Sequence, residues 1–442
     1  MVKLVGVLNN FLPVNVLVIG DFMLDTYTTG RVKRVSPEAP VPVLHVQNKE
    51  SRPGGAGNVA LNLTTLGAHV FALGRIGADM PGEKLVDALL KEGINTKGLF
   101  VQQGFQTPVK ERLIADAQQV LRVDSEANCP ISSDMEEEIL EIFQRQVAST
   151  DVVAISDYGK GFLSRYLLQS IIEIARAQGV PVIVDPKGPD FSRYLGATVI
   201  KPNLQEAYIA AQRSHEAPLQ EVAELLLRVC DVDELLITRS EAGISLFHRG
   251  GERVDFPVRS KEVKDVTGAG DTVLAMISVA LANGLDIKRA AQLANIAAGL
   301  AIERIGCARI HLSQIAERLL EYDVDNKVFD EEHLFALQQA LKGKHYTVLG
   351  VDSSHGMSTA LFRAIRRLSS RDQDKKLIVY VRDQNPDEEF ILLLSSLAEV
   401  DFIVLKCESL RSLCKIIQPA EAFLMKEGAL VLLETSSAIF SQ

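Results

Sequence analysis

Short apolar runs that alternate with amphipathic helical stretches limit this chain to very few architectures. VLVIG (16–20), HVFALG (69–74), VVAIS (152–156), PVIVD (181–185), ATVIK (197–201) and ELLITR (234–239) are too short for helices and apolar enough for strands buried on both faces. Between them, Met135–Val147 and Tyr166–Ala177 carry apolar residues at helical spacing. Strand and helix in turn predict a three-layer α/β domain whose mostly parallel sheet is covered on both sides. Residues 26–47 and 97–124 break the rhythm: they alternate Val, Leu and Thr without a helix and predict a small β sheet projecting as a lid.

The pattern closes with a helix around Leu312–Tyr322, followed by the acidic stretch YDVDNKVFDEEH, which reads as a linker. A shorter β/α cycle then begins, with HYTVLGVD (345–352), a helical stretch near 358–368, KKLIVYVRD (375–383), VDFIVLK (400–406) and ALVLLE (429–434). We therefore expect two domains, residues 1–323 and a smaller Rossmann-like domain over 324–442. A length of 442 residues accommodates both.

No apolar stretch reaches the roughly 18 residues of a spanning helix, and Asn9, Asn10 and Pro13 interrupt the apolar start, so neither a membrane span nor a signal peptide is expected. Cys129, Cys230, Cys307, Cys407 and Cys414 lack CxxC spacing, which predicts reduced thiols in the cytoplasm and no zinc site. A net charge of −10 argues against a nucleic-acid partner. Any anionic substrate has to be caught by a few placed cations and backbone amides.

The chemistry concentrates in DVTGAGDT (265–272), which runs into the helix-forming VLAMISVALANG. Gly268, Ala269 and Gly270 let backbone amides approach a ligand at a helix start, an anion cradle. Asp271 stands where a carboxylate can take a proton from a hydroxyl attacking the γ-phosphorus, although an Asp after a Gly-rich turn also fits a helix cap. RPGGAGNVALNL (52–63) leads into another helix, and GDFMLD (20–25) ends the first strand with Asp21 and Asp25, where an open α/β sheet faces its ligand.

GDFMLD, PGGAGNVA, KPNLQE (201–206), ITRSEAG (237–243) and DVTGAGDT follow one another as in the ribokinase-like carbohydrate kinases, which this chain resembles over about residues 10–320. RVSPEAPVPVL (34–44), SDYGKG (156–161) and DPKGPDFSRYLGATVIKPNLQE (185–206) are similar to the branch acting on D-glycero-β-D-manno-heptose 7-phosphate, whose bacterial members join this kinase to an adenylyltransferase. The resemblance implies a ribokinase-like fold with ATP, Mg2+ and a monovalent cation, and phosphorylation of the anomeric hydroxyl on the route to ADP-heptose for lipopolysaccharide. Kinases of other sugars, a bifunctional kinase/adenylyltransferase and a non-catalytic descendant are the alternatives.

Residue by residue, the resemblance makes Asp271 the catalytic base and Gly268, Ala269 and Gly270 the anion hole. Asn203 and Glu206 would order the magnesium and water shell around the phosphates, with Lys187 reaching phosphate and Thr238, Arg239 and Gly243 passing the nucleotide. Asp21, Gly54, Gly55 and Asn58 would hold the sugar. Locally, NLQE also fits a helix cap with an acidic first turn. A substrate that already bears a phosphate needs a second anion site, for which Lys110, Arg112, Arg122 and Lys160 are candidates. The exposed strand edges of the lid predict a homodimer.

In the adenylyltransferase half of that branch, a GxFDxxHxGH turn grips the triphosphate with two histidines. The matching VLGVDSSHGMSTAL (348–361) keeps only His355 and places Met357 where a polar contact is expected. The later glycine loop is reduced to MKEGAL (425–430), and TSSAI (435–439) faintly resembles the nucleotide-contacting end. A degenerate nucleotidyltransferase-like domain is expected.

Overall fold

A computed structural model describes Leu8 and residues 11–433, apart from 117, 128, 252, 259–262, 305, 323–326, 330–333, 342–343, 370–375, 384, 406 and 427. For residues 320–322, 335–336, 339–340 and 355 it describes the backbone alone. Most of the predicted linker, and all of TSSAI, lie outside the described residues.

The chain divides into two compact units, Leu12–His311 and Leu312–Gln442 together with Met1–Phe11. The helix Leu312–Tyr322, which the sequence pattern puts at the end of the first domain, packs on Leu334–Leu341 of the second unit. Its apolar face is legible in sequence; the surface that covers it is not.

In the first unit a nine-stranded sheet runs, from one edge, Arg253–Phe256, Ile244–His248, Glu234–Thr238, Val199–Ile200, Val182–Asp185, Val152–Ser156, Asn15–Gly20, His69–Gly77 and Asn95–Gln102. All neighbours are parallel except the pairs made by Ile244–His248. The central strands are buried along their length, and helices Ser133–Val147, Arg165–Ala177 and Leu219–Cys230 pack Phe143, Ile171 and Leu226 onto Leu17, Val153 and Val184. Burial on both faces is what the continuous apolar runs require.

The lid is a separate four-stranded sheet in the order Pro42–Gly55, Phe22–Val35, Val109–Ala115, Gln118–Ser125. Residues 97–102, which the sequence pattern assigns to the lid, instead belong to Asn95–Gln102 at the edge of the main sheet beside His69–Gly77. Period-two alternation identifies a strand but carries no information about which sheet receives it. The first main-sheet strand passes through Asp21 directly into the lid strand, and Pro42–Gly55 runs straight into helix Ala56–Thr65, so sheet, lid and helix meet at one point.

The second unit holds a six-stranded sheet in the order Val328–Phe329, Phe402–Val404, Lys376–Val381, Tyr346–Val351, Glu421–Lys426, Ala429–Leu433, parallel except for the last pair. The sequence pattern missed Val328–Phe329 and Glu421–Lys426. MKEGAL, expected as the remnant of a ligand loop, spans the turn of the closing hairpin, with Gly428 at φ 79°.

Candidate active site

Helix Ala269–Ala282 starts at Gly268, whose backbone is left-handed (φ 79°, ψ 0°) and where a Cβ would lie 2.9 Å from Asn58 Nδ2 and 3.1 Å from Cys307 Sγ. Only glycine meets both demands. No side chain caps this helix, so Asp271 is not spent as a cap. Its carboxylate is buried in the first turn, where Oδ2 accepts from the Asn58 amide at 2.7 Å and Oδ1 from the Tyr158 hydroxyl at 3.0 Å. Burial pushes the Asp271 carboxyl up to about 7; the nearby Asp185 charge adds to this, while Asn58, Tyr158 and Lys201 oppose it. The group is thus poised to exchange a proton near neutrality.

On one side of Asp271 opens a cleft of about 700 Å3 lined by Asp185, Lys187, Lys201, Asn203, Glu206 and Thr238, with Gly268–Gly270 at its floor. Lys201, 2% exposed, pairs with Asp185 Oδ2 at 2.9 Å. Burial raises the Asp185 carboxyl and Lys201 opposes it. Both face Gly270, where a Cβ would stand 3.5 Å from Lys201 Nζ. Asn203 and Glu206 form a reciprocal capping box at the start of Leu204–Ala210, and the free Glu206 oxygen receives Lys187 Nζ at 2.6 Å. The capping explanation of NLQE is therefore realised, with both side chains still lining the cleft. Thr238 and Gly243 also line it, whereas the Arg239 guanidinium reaches Asp255 at 3.3 Å and the Ala242 carbonyl.

On the other side, Asp21 Oδ2 accepts the backbone N–H groups of Tyr158 (2.9 Å) and Lys160 (3.1 Å). Burial and the neighbouring Asp157 push its carboxyl up to about 6. Asp25 pairs with Arg112 at 2.6 Å, its carboxylate so close over Gly54 that a Cβ there would lie 2.3 Å away. Gly55 turns the strand into helix Ala56–Thr65 at φ 57°, ψ −131°. Lys110 Nζ sits 5.0 Å from the centre of the Tyr158 ring, and burial lowers its proton affinity. A second cavity of about 840 Å3 is lined by Asn58, Arg52, Arg304, Cys307 and Arg309, so the bond from Asn58 to Asp271 lies between the two spaces.

The structure thus gathers Asp21, Asp25, Gly54, Gly55, Asn58, Lys110 and Arg112 around Asp271. Two further expected cations are held by carboxylates of the same region, and the charge of one of them, Lys160, still acts on Lys110. Arg122 lies on the fully exposed strand Gln118–Ser125 and pairs with Asp124, and the Lys160 ammonium pairs with Glu126 at 2.5 Å. Three residues of the site escaped the sequence reading: Tyr158, Asp185 and Lys201. Asp185 and Lys201 close PVIVD and ATVIK, at the carboxyl ends of strands as Asp21 does. Tyr158 lies in SDYGKG, two residues before Lys160.

The family model described as pfkB family carbohydrate kinase matches residues 14–314. Curated relatives called Bifunctional protein HldE include those of Trichlorobacter lovleyi (41% identical over 360 residues, 80% of this chain and 73% of the relative) and Geobacter metallireducens (43% over 335 residues, 75% and 68%). The one from Desulfatibacillum aliphaticivorans is 36% identical over 426 residues, covering 92% of this chain and 87% of its own length. Among solved structures, Arabidopsis thaliana ribokinase complexed with ribose and ATP superposes with a TM-score of 0.56 at 20% identity, covering 70% of this chain and 99% of that one. Escherichia coli phosphofructokinase-2 in complex with potassium gives 0.59 at 18% identity, covering 71% and 99%. These two show the ribokinase-like fold. By the span of the family model and the identity of its relatives, this chain belongs to the pfkB family of carbohydrate kinases.

Proposed function

We propose that this chain transfers the γ-phosphoryl group of ATP to the anomeric hydroxyl of D-glycero-β-D-manno-heptose 7-phosphate, giving the 1,7-bisphosphate and ADP. The observation that carries the reading is Asp271, a buried carboxylate with a proton affinity near neutrality, held by two donors beside the Gly268–Gly270 turn. Asp271 takes the hydroxyl proton as the sugar oxygen bonds to the γ-phosphorus and the bond to the bridging β,γ-oxygen breaks. The Gly268–Gly270 amides and Lys201 stabilise charge on the transferring group. Asp21 and Asn58 orient the sugar, and Lys110 and Arg112 hold the distal phosphate.

Nucleotide phosphates fit the cleft, which combines a helix N-terminus at Gly268 with the Lys201 and Lys187 ammonium groups. Asp185, Asn203 and Glu206 supply the oxygen groups suited to a hydrated Mg2+, which neutralises phosphate charge when bound. A monovalent cation is a further expectation, in line with the potassium-bound phosphofructokinase-2 among the similar structures. The heptose is supported by the long strings RVSPEAPVPVL and DPKGPDFSRYLGATVIKPNLQE and by relatives called Bifunctional protein HldE.

Residues 324–442 are proposed as a nucleotidyltransferase-like domain without nucleotidyl transfer, and the protein as a cytoplasmic homodimer joined through lid edges. Turnover on a panel of sugar phosphates tests the substrate. Preference for a ribose or hexose over the heptose would replace this reading with that of another sugar kinase.

A further inference from the structure

Tyr158 joins three parts of the site that belong to different segments of the chain. Its backbone N–H donates to Asp21 Oδ2 at 2.9 Å, its hydroxyl donates to Asp271 Oδ1 at 3.0 Å, and its ring lies 5.0 Å beneath the Lys110 ammonium of the lid. The loop that carries it is braced on every side. Asp157 N–H donates to the Asp185 carbonyl at 3.0 Å, Gly159 N–H to Asp157 Oδ1 at 2.7 Å, and buried Arg75 holds the Lys160 carbonyl at 2.7 Å. The loop backbone is thus held in place, and the phenol meets the carboxylate through its hydroxyl and Lys110 through its ring.

We infer that Tyr158 is a positioning residue that keeps the catalytic base ionised at neutral pH, by donating a fixed hydrogen bond to the Asp271 oxygen that Asn58 leaves free. The inference rests on the reading of Asp271 as the base. An ionised carboxylate only accepts, so a hydroxyl donor stabilises the charged form over the neutral one. The donor role is secure because burial and the Asp271 charge hold the Tyr158 hydroxyl protonated, well above the usual phenol range. Other groups also act on Asp271: Asn58 from helix Ala56–Thr65 and Lys201 favour the ionised form, and Asp185 at the end of Val182–Asp185 disfavours it. Cys307, whose thiol burial pushes up to about 12, stays neutral beside it. Among these, Asn58 and Tyr158 hydrogen-bond to the carboxylate, and only Tyr158 also holds the sugar-side Asp21.

The test is an infrared titration of the Asp271 carboxyl band in the ligand-free full chain, the band being identified by its loss in Asp271→Asn. Tyr158→Phe keeps the ring under Lys110 and the N–H on Asp21, and it should move the midpoint upward by about one pH unit, the scale of one hydrogen bond to a charged group. In parallel, kcat/KM on whichever sugar phosphate is turned over should drop at pH 7 and recover towards the native value above pH 8. Replacement by 3-fluorotyrosine, a stronger donor of nearly equal size, should move the midpoint down and guards against a misfolded Phe variant. An unmoved midpoint in both variants, or a loss of rate equal at every pH, overturns the inference. The band titrates without substrate, so failure of the heptose assignment would leave this result standing.

Discussion

Both units open a helix on a short polar turn, and the two turns spend their polar groups differently. In the first, Asp265 gathers the N–H groups of Thr267 and Gly306 at 2.9 and 2.8 Å and Ala269 N–H donates to the Val266 carbonyl at 3.3 Å, while Gly268, Gly270 and the Asp271 carboxylate still line a cleft. In the second, the turn from Asp352 to Ser358 bonds to its own unit. Asp352 meets Arg382 at 3.2 Å, Ser353 N–H reaches Asp383 at 2.5 Å, Asp387 N–H reaches the Ser353 hydroxyl at 3.2 Å, and Ser358 caps Leu361 at 3.1 Å. Met357, in the place where a phosphate contact was expected, packs on the apolar core. The first turn satisfies part of its donors internally and still presents its glycines to a cleft, whereas the second turns its polar groups on its own unit.

The comparison breaks most visibly at Asp271. Asp271→Asn should keep the shape of the first turn and lower kcat by about 10²–10⁴, the usual cost of losing a general base. Steady-state kinetics with a saturating sugar phosphate check this, and an undiminished kcat would move the base elsewhere. Next in size is Lys201→Met. It strands the part-buried Asp185 charge beside the anion turn, so chemical denaturation should show a loss of stability smaller than the roughly 3–5 kcal/mol of a fully buried pair. No loss would mean that Asp185 simply takes up a proton.

A smaller effect is the pH profile. The proposed base Asp271 has to be ionised to act and its carboxyl is pushed up to about 7, so kcat/KM should fall about tenfold per unit as pH drops below 7 and level off above it. A limb near 4 would show that the native site holds the charge far better than its burial implies. The smallest effect sharpens the other side of the comparison. His355→Ala should leave kinase turnover unchanged, and the unaltered chain given heptose 1-phosphate and ATP should release no pyrophosphate above background. Pyrophosphate release abolished by His355→Ala would give the second turn a catalytic role.

Much of this was legible in the sequence, for a physical reason. Buried parallel strands need continuous apolar runs and helices need a 3.6-residue stripe, so six of the nine main-sheet strands declare themselves and the three-layer arrangement follows, while the antiparallel Ile244–His248 and Arg253–Phe256 do not. Turn chemistry is equally local: a left-handed residue such as Gly268 and a capping pair such as Asn203 and Glu206 are written into a few adjacent letters.

Tertiary structure alone decided how distant residues pair. Nothing near Asn58, Tyr158 and Asp271 states that they share one hydrogen-bonded cluster, since they lie on a helix, a loop and another helix brought together by the sheet. Nor does the sequence around Arg122 and Lys160 say that Asp124 and Glu126 already occupy them. The same holds for Asn95–Gln102, whose alternation fits either sheet, and for Leu312–Tyr322, whose apolar stripe fits either unit. Periodicity is a property of a segment and is fixed by its own residues. A partner, a burial depth and the proton affinity that follows from them are properties of the place where the segment comes to rest.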